Sequence, residues 1–264
     1  MTAAKKRLFS PTLWLIPVCI FVLGTPLWMH WWEPGMFLAI NGWGLVLPAV
    51  VWTGLSLLGN GWALLALTSP LMVWAPRLMW AWLCAAPFAA LAARLGKGLL
   101  ESPRPAAVVD NAHMRIVGEV LHNVSMPSGH TTTAFAVASA LYFALPAAQR
   151  WRHAWMWFLA FGAGISRIAV GAHWPGDVVV GMALGIGCGL LGNGLLGRLP
   201  DKFCSVRSLA MRSVAVLVAL AVYHLTTEAL DFDENQPVQW VLAVVAAASL
   251  LAFAMRSVRA TKAS

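Results

Sequence analysis

The chain has 264 residues, of which 60% are hydrophobic and 11% charged, with mean hydropathy +0.73 and a formal net charge of +8. A soluble domain of this length carries about a quarter of its residues charged, so the composition excludes an ordinary water-soluble globule and implies a chain held largely in lipid. The positive balance does not imply a nucleic-acid partner, because the 18 Lys and Arg lie between apolar runs and are not gathered into one patch.

Apolar stretches long enough to cross a hydrocarbon core of about 30 Å recur along the chain. They predict an all-α membrane bundle of about eight spans, at roughly 11–31, 43–66, 77–96, 128–147, 154–170, 177–197, 211–229 and 238–256, forming one membrane domain over 1–264. The first stretch is long and carries Trp28 at its end, unlike the short core of a cleavable signal, and reads as a retained span. Lys5, Lys6 and Arg7 precede it, and Arg77 follows the second span. Arg150 and Arg152 lie between the fourth and fifth, Arg198, Lys202, Arg207 and Arg212 between the sixth and seventh, and Arg256, Arg259 and Lys262 close the chain. All fall on one side, which the positive-inside rule makes cytoplasmic, together with both termini.

The opposite side collects the acids Glu33, Glu101, Asp110, Glu119, Glu228, Asp231, Asp233 and Glu234. It also holds five cations that orientation does not account for: Arg94, Lys97, Arg104, Arg115 and Arg167. A polar loop over about 97–127 lies there, and a loop of that length is more often functional than a linker. Its Asp110, His113, Arg115, Glu119 and His122 are expected to shape headgroup choice. Cys19, Cys84, Cys188 and Cys204 lack metal-ligand spacing and imply no disulfide framework. Gly181, Gly185 and Gly189 recur every four residues, which suits close helix packing within the monomer. His224, within the seventh span, has no evident partner.

Three clusters face the outer side. They are Lys97-Gly-Leu-Leu-Glu-Ser-Pro-Arg104-Pro105, Pro127-Ser128-Gly129-His130, and Ser166-Arg167-x5-His173-x3-Asp177. Singly each has a plain reading: Lys97 and Arg104 snorkel to headgroups, Ser128 caps a helix, and a lone His is structural. Together they put three cations, two imidazoles, a carboxylate and a helix N-terminus at one membrane depth, which is an anion site by composition. Arg104 and Arg167 offer planar forks to phosphate oxygens and Lys97 a point charge, while the amides of Gly129 and His130 open a helix toward the same anion. His173 is then a candidate nucleophile, oriented by Asp177 four residues on, with Pro175 fitting a first helical turn between them. His130 is the candidate general acid. No metal or other cofactor is required, since phosphoryl transfer rests mainly on positioning and charge stabilisation.

The order and spacing of these clusters resemble the three-part signature of the type 2 phosphatidic acid phosphatase (PAP2) superfamily. The matched region spans about 97–177, and the helical core it implies, shared with haloperoxidases, extends over roughly 77–197. The resemblance implies an integral-membrane lipid phosphatase of the bacterial inner membrane, with its site on the periplasmic side. It assigns His173 as the phosphohistidine nucleophile, Asp177 as its support and His130 as the acid. Lys97, Arg104, Ser128, Gly129 and Arg167 take the phosphate. Met126 departs from the aromatic residue many relatives carry there, and the pair of spans at about 211–256 exceeds the usual six-helix core. Undecaprenyl pyrophosphate, phosphatidylglycerophosphate and lipid A are all suitable substrates; the bilayer is a further partner, and the sequence names no protein partner. A phosphotransferase passing the group to an acceptor lipid uses the same residues. Vanadate-dependent haloperoxidase chemistry is disfavoured by the spans, and a transporter or scaffold would leave the whole constellation decorative.

Overall fold

The computed structural model describes residues 11–262, whose regular elements are all helices, with no strand among the described residues. The basic residues Lys5, Lys6 and Arg7 and the side chain of Lys262, on which part of the orientation argument rests, lie outside the described residues. We number the helices α1 (Pro11–Leu23), α2 (Gly35–Trp43), α3 (Ala49–Leu57), α4 (Gly61–Thr68), α5 (Pro76–Leu100), α6 (Gly129–Ala144), α7 (Trp155–Ala169), α8 (Pro175–Leu196), α9 (Leu209–Thr227) and α10 (Gln236–Lys262). Single helical turns at Thr25–Trp28 and Leu71–Trp74 lie between them.

The expected span over 43–66 is not one helix. Gly35–Val46 and Ala49–Leu57 meet at 109°. Pro48 forces the preceding Leu47 into extended backbone (φ −120°, ψ 150°), which ends the helical path there. Asn60 then caps α4 by accepting from the amides of Trp62 and Ala63, so α3 and α4 are separate pieces. The run is apolar because it is buried or faces lipid; hydropathy does not register the two helix breakers inside it.

Helices of membrane-crossing length among the described residues are fewer than the eight spans expected. Among the described residues four helical segments are long and apolar enough to cross a membrane, Pro76–Ala107, Pro175–Leu196, Asp201–Thr227 and Asp233–Ala260, or five if the bent pair counts as one. The other predicted spans correspond to helices of 13, 16 and 15 residues in α1, α6 and α7, short of the roughly 20 a straight crossing needs. For α6 the reason is its place: it packs against α5, α7 and α8, and its environment is protein more than lipid. Large apolar side chains such as Phe158, Leu209, Val241 and Val244 cover the exterior, as in an integral membrane protein.

The most extensive helix contact is α6 against α8, and glycine makes it possible. A Cβ on Gly181 would lie 2.9 Å from the Ser128 carbonyl oxygen, on Gly185 2.5 Å from that of Thr132, and on Gly189 2.8 Å from that of Ala136. Asn193 continues the seam by donating to Ala140 O at 3.0 Å. The expected packing within the monomer is therefore what the glycines provide, and it holds the start of α6 beside the start of α8. All four cysteines are free. The C-terminal pair, α9 and α10, packs on α4 and on the Leu71–Trp74 turn, where Ser69 Oγ donates to Ser249 Oγ at 3.0 Å and Arg256 donates to Val73 O.

This seam has a measurable consequence. Gly185→Leu forces α6 and α8 apart and should lower stability in detergent by about 1–3 kcal/mol or more, read as a fall in Tm. Gly54→Ala, whose Cβ meets open space, should change stability by less than about 1 kcal/mol. An unchanged Tm for Gly185→Leu would contradict the close-packing account.

Candidate active site

The helix starts place the chemistry. Pro175 is the first residue of α8 and Asp177 its third, so the Asp177 carboxylate reaches back to accept from the backbone N–H of Trp174 at 2.9 Å, satisfying an orphan amide of the first turn. The same oxygen, Oδ2, lies 3.0 Å from His173 Nδ1 and accepts from Ser125 Oγ. His173 and Asp177 are almost wholly buried. On the other edge of the ring, Arg104 Nη1 lies 3.2 Å from His173 Nε2. A guanidinium can only donate, so Nε2 presents its lone pair and Nδ1 carries the proton toward Asp177. The network thereby selects the neutral tautomer whose free nitrogen faces the cations.

Arg104 is held in turn: Nη1 also donates to Ala172 O at 2.7 Å and Nε to Asn123 Oδ1 at 2.6 Å. Arg167, near the C-terminal end of α7, donates from Nη1 to Ser56 Oγ at 2.6 Å, and its buried Nε has no partner among the described residues. Burial first, then the charges of Arg104, Arg167 and Lys97 and the nearby His130, hold the His173 imidazole well below its ordinary value of 6.5. The turn into His173 needs Gly171 at φ +82°, where a Cβ would also meet Arg115 O at 2.5 Å.

Ser128 caps α6. Its Oγ accepts from Thr131 Oγ1 at 2.9 Å, and its N–H donates to Asp177 O at 3.1 Å, tying the two helix starts together. A Cβ on Gly129 would meet nothing within 4 Å, so the first turn of α6 fronts open space. His130 Nε2 lies 2.9 Å from Asp231 Oδ2, in the connection between α9 and α10, and Asn60 Nδ2 donates to that oxygen at 3.2 Å. Burial opposes ionisation of Asp231, yet the hydrogen bond and charge of His130, the Arg167 charge and the Asn60 bond bring its pKa down to about 2. A cavity of about 610 Å³ opens beside Arg167 and Asp231.

The structure thus brings His173, Asp177 and Arg104 into direct contact, joins Ser128 to Asp177, and sets Lys97, Arg167 and His130 within electrostatic reach of His173. The other loop residues separate. Asp110 and His113 pair with each other at the exposed surface (3.2 Å), Arg115 braces α2 through Asn41 and Gly44, and Arg94 is exposed. His224 stacks on Trp62 with centroids 4.4 Å apart and lies 2.9 Å from Glu228, a structural placement. Residue patterns did not single out Ser56, Asn60, Asn123, Ser125 or Asp231. Ser125 stands three residues before Ser128, but the others had no spacing signal linking them to the three clusters.

Residues 77–199 match the family model described as the PAP2 superfamily. A lipid A 1-phosphatase of Porphyromonas gingivalis is 43% identical over 68 residues, 26% of this chain, and the match spans only 15% of that relative's length. Among solved structures, LpxE of Aquifex aeolicus is similar with a TM-score of 0.52 and 28% identity, over 60% of this chain and 92% of that one. A PAP2-type phosphatidylglycerolphosphate phosphatase of Bacillus subtilis shares the fold, with a TM-score of 0.52 and 21% identity over 70% of this chain and 97% of that one. The segment covered by the family model supplies every residue expected in the site from Lys97 to Asp177, and over that segment the chain is similar to the PAP2 superfamily.

Proposed function

We propose that this protein is a membrane lipid phosphatase that hydrolyses a phosphomonoester or diphosphate of a lipid through a phosphohistidine on His173. One observation carries the reading: His173 Nε2 directs its lone pair at the Arg104 guanidinium while Nδ1 is tied to Asp177. That is the geometry of an oriented nucleophile beside an anion-binding fork. The relatives' names, lipid A 1-phosphatase and phosphatidylglycerolphosphate phosphatase, favour phosphate on a lipid over a soluble metabolite. The substrates in view are lipid A, phosphatidylglycerophosphate and undecaprenyl pyrophosphate.

The reaction runs in two halves. Arg104, Arg167 and Lys97 draw in the phosphoryl oxygens, with Ser128 and the amides at the start of α6 completing the cradle. His173 Nε2 attacks phosphorus, the bond to the lipid oxygen breaks, and His130 gives that oxygen a proton. Water then attacks phosphorus and passes a proton to His130 while the P–N bond breaks, which restores neutral His173 and releases phosphate. Asp177 stabilises the charge that develops on the ring and keeps its own proton count unchanged. The site lies at the ends of α5 and α7 and the starts of α6 and α8, opposite the end that carries Arg77, Arg150, Arg152 and Arg198. Under the positive-inside rule, that distribution of charge supports a site on the periplasmic face of a bacterial inner membrane.

His173→Ala should lower phosphate release from lipid substrates by at least about a thousandfold while the protein still extracts and runs as folded material. Turnover like the wild type's would refute the mechanism. His130→Ala should cost about 10²–10⁴-fold on a lipid monophosphate and markedly less on a diphosphate, whose leaving group needs no proton. Equal losses on the two substrates would remove the general-acid role.

The pH dependence has a defined sign. Because the folded pKa of His173 lies below 6.5, the nucleophile stays unprotonated as pH falls through that value. Between the two pKa values the folded state binds fewer protons than the unfolded chain, so stability falls as pH drops below 6.5. On a lipid diphosphate, kcat/KM should change by less than about twofold between pH 7.5 and 6.5 and decline only lower. An acid limb centred at 6.5 would contradict an environment that keeps His173 neutral.

A further inference from the structure

The family model ends at residue 199, yet the connection between α9 and α10 reaches the site. Asp231 Oδ2 accepts from His130 Nε2 at 2.9 Å and from Asn60 Nδ2 at 3.2 Å. Its neighbour Phe232 is buried with Trp52, Ala169, Val170 and Ala172, and the Arg167 guanidinium lies 5.7 Å over its ring. Two fully buried amides hold this connection in shape. Gln239 donates to Leu225 O and Glu228 O and accepts from Leu230 N, and Asn235 donates to Leu230 O. A loop that only joined two lipid-facing helices would need none of this bracing. Asp231 itself sits at φ 63°, a left-handed conformation that Asp tolerates better than most residues.

We propose that Asp231 is a positioning residue for the general acid His130, and that the C-terminal helix pair supplies this second His–Asp dyad to the site. The inference rests on the phosphohistidine reading and deepens it. Charge requires something of the kind. His130 faces Arg167 and Lys97, and an imidazolium there adds a further cation to the cluster; among the described residues Asp231 is the carboxylate that meets it. With Nε2–H held by Asp231, Nδ1, to which no hydrogen bond from the described residues runs, is the nitrogen that hands its proton to the leaving oxygen. In the second half the proton of the attacking water returns to Nδ1, and Asp231 stays ionised throughout. The arrangement mirrors His173, where Asp177 holds Nδ1 and Nε2 acts.

The test uses the full chain in detergent, with a lipid monophosphate and a lipid diphosphate as paired substrates. Asp231→Asn should lower kcat on the monophosphate about 10- to 100-fold with KM within about threefold, and lower it much less on the diphosphate. In a His130→Ala background the same change should add almost nothing, because both act through one proton transfer. Asp231→Ala should recover part of its kcat when formate is added, since the cavity beside Arg167 and Asp231 admits a small carboxylate. Rescue by formate also separates loss of the carboxylate from failure to fold. Wild-type rates in Asp231→Asn would overturn the proposal, as would an equal loss on both substrates, a loss that multiplies with His130→Ala, or a rate increase marking Asp231 as an occluding group. Inactivity of His173→Ala alongside normal Asp231→Asn would overturn this proposal alone, whereas an active His173→Ala would bring down the parent reading.

Discussion

Everything in this site depends on one carboxylate oxygen. Asp177 Oδ2 meets the backbone N–H of Trp174, the ring of His173 and the hydroxyl of Ser125, so one atom ends the approach to α8, fixes an imidazole and anchors the loop before α6. The Asp177 carbonyl then receives the N–H of Ser128, the cap of α6. A helix cap and a catalytic orientation are usually separate devices, and here they share a residue. The proposed chemistry needs His173 Nε2 turned outward, and the folding of the first turn of α8 is what turns it.

That arrangement is possible only because two helix starts lie very close together. Gly181, Gly185 and Gly189 let α8 approach the backbone of α6 to distances that a Cβ would forbid. Two N-termini pointing the same way add their amide dipoles at one end of the bundle, where an anion is favoured before any side chain is counted. Arg104 from the loop after α5 and Arg167 from the end of α7 complete the field, each held by neighbours so that little reorganisation is needed when phosphate arrives. Burial first, and then the same field, hold the His173 imidazole well below its ordinary value, so in the proposed mechanism the phosphate-binding cations also help keep the nucleophile unprotonated.

Much of this was legible in the residues, for physical reasons. Asp177 at four residues from His173, with Pro175 between, is a local pattern, and local patterns survive folding. The glycine spacing on α8 was equally readable. The apolar run over 43–66 misled because hydropathy reports surroundings and not continuity; Pro48 and Asn60 break the path, and the resulting bend delivers Ser56 to Arg167 and Asn60 to Asp231. Asp231 stood among the outer acids without distinction, since it lies 101 residues from His130 and no periodicity links them. The expected span over α6 is a helix of 16 residues, because a helix enclosed by its neighbours need not match the thickness of the bilayer.

The central claim is that His173 Nε2 forms a bond to phosphorus. The direct measurement is rapid acid-free quenching of the protein with a lipid substrate labelled in its phosphate, followed by peptide mapping. The account predicts label on the peptide that contains His173, stable to alkali and lost in mild acid, and absent from His173→Ala. Phosphate release with no label on the chain at any quench time, or label on a carboxylate, would contradict it.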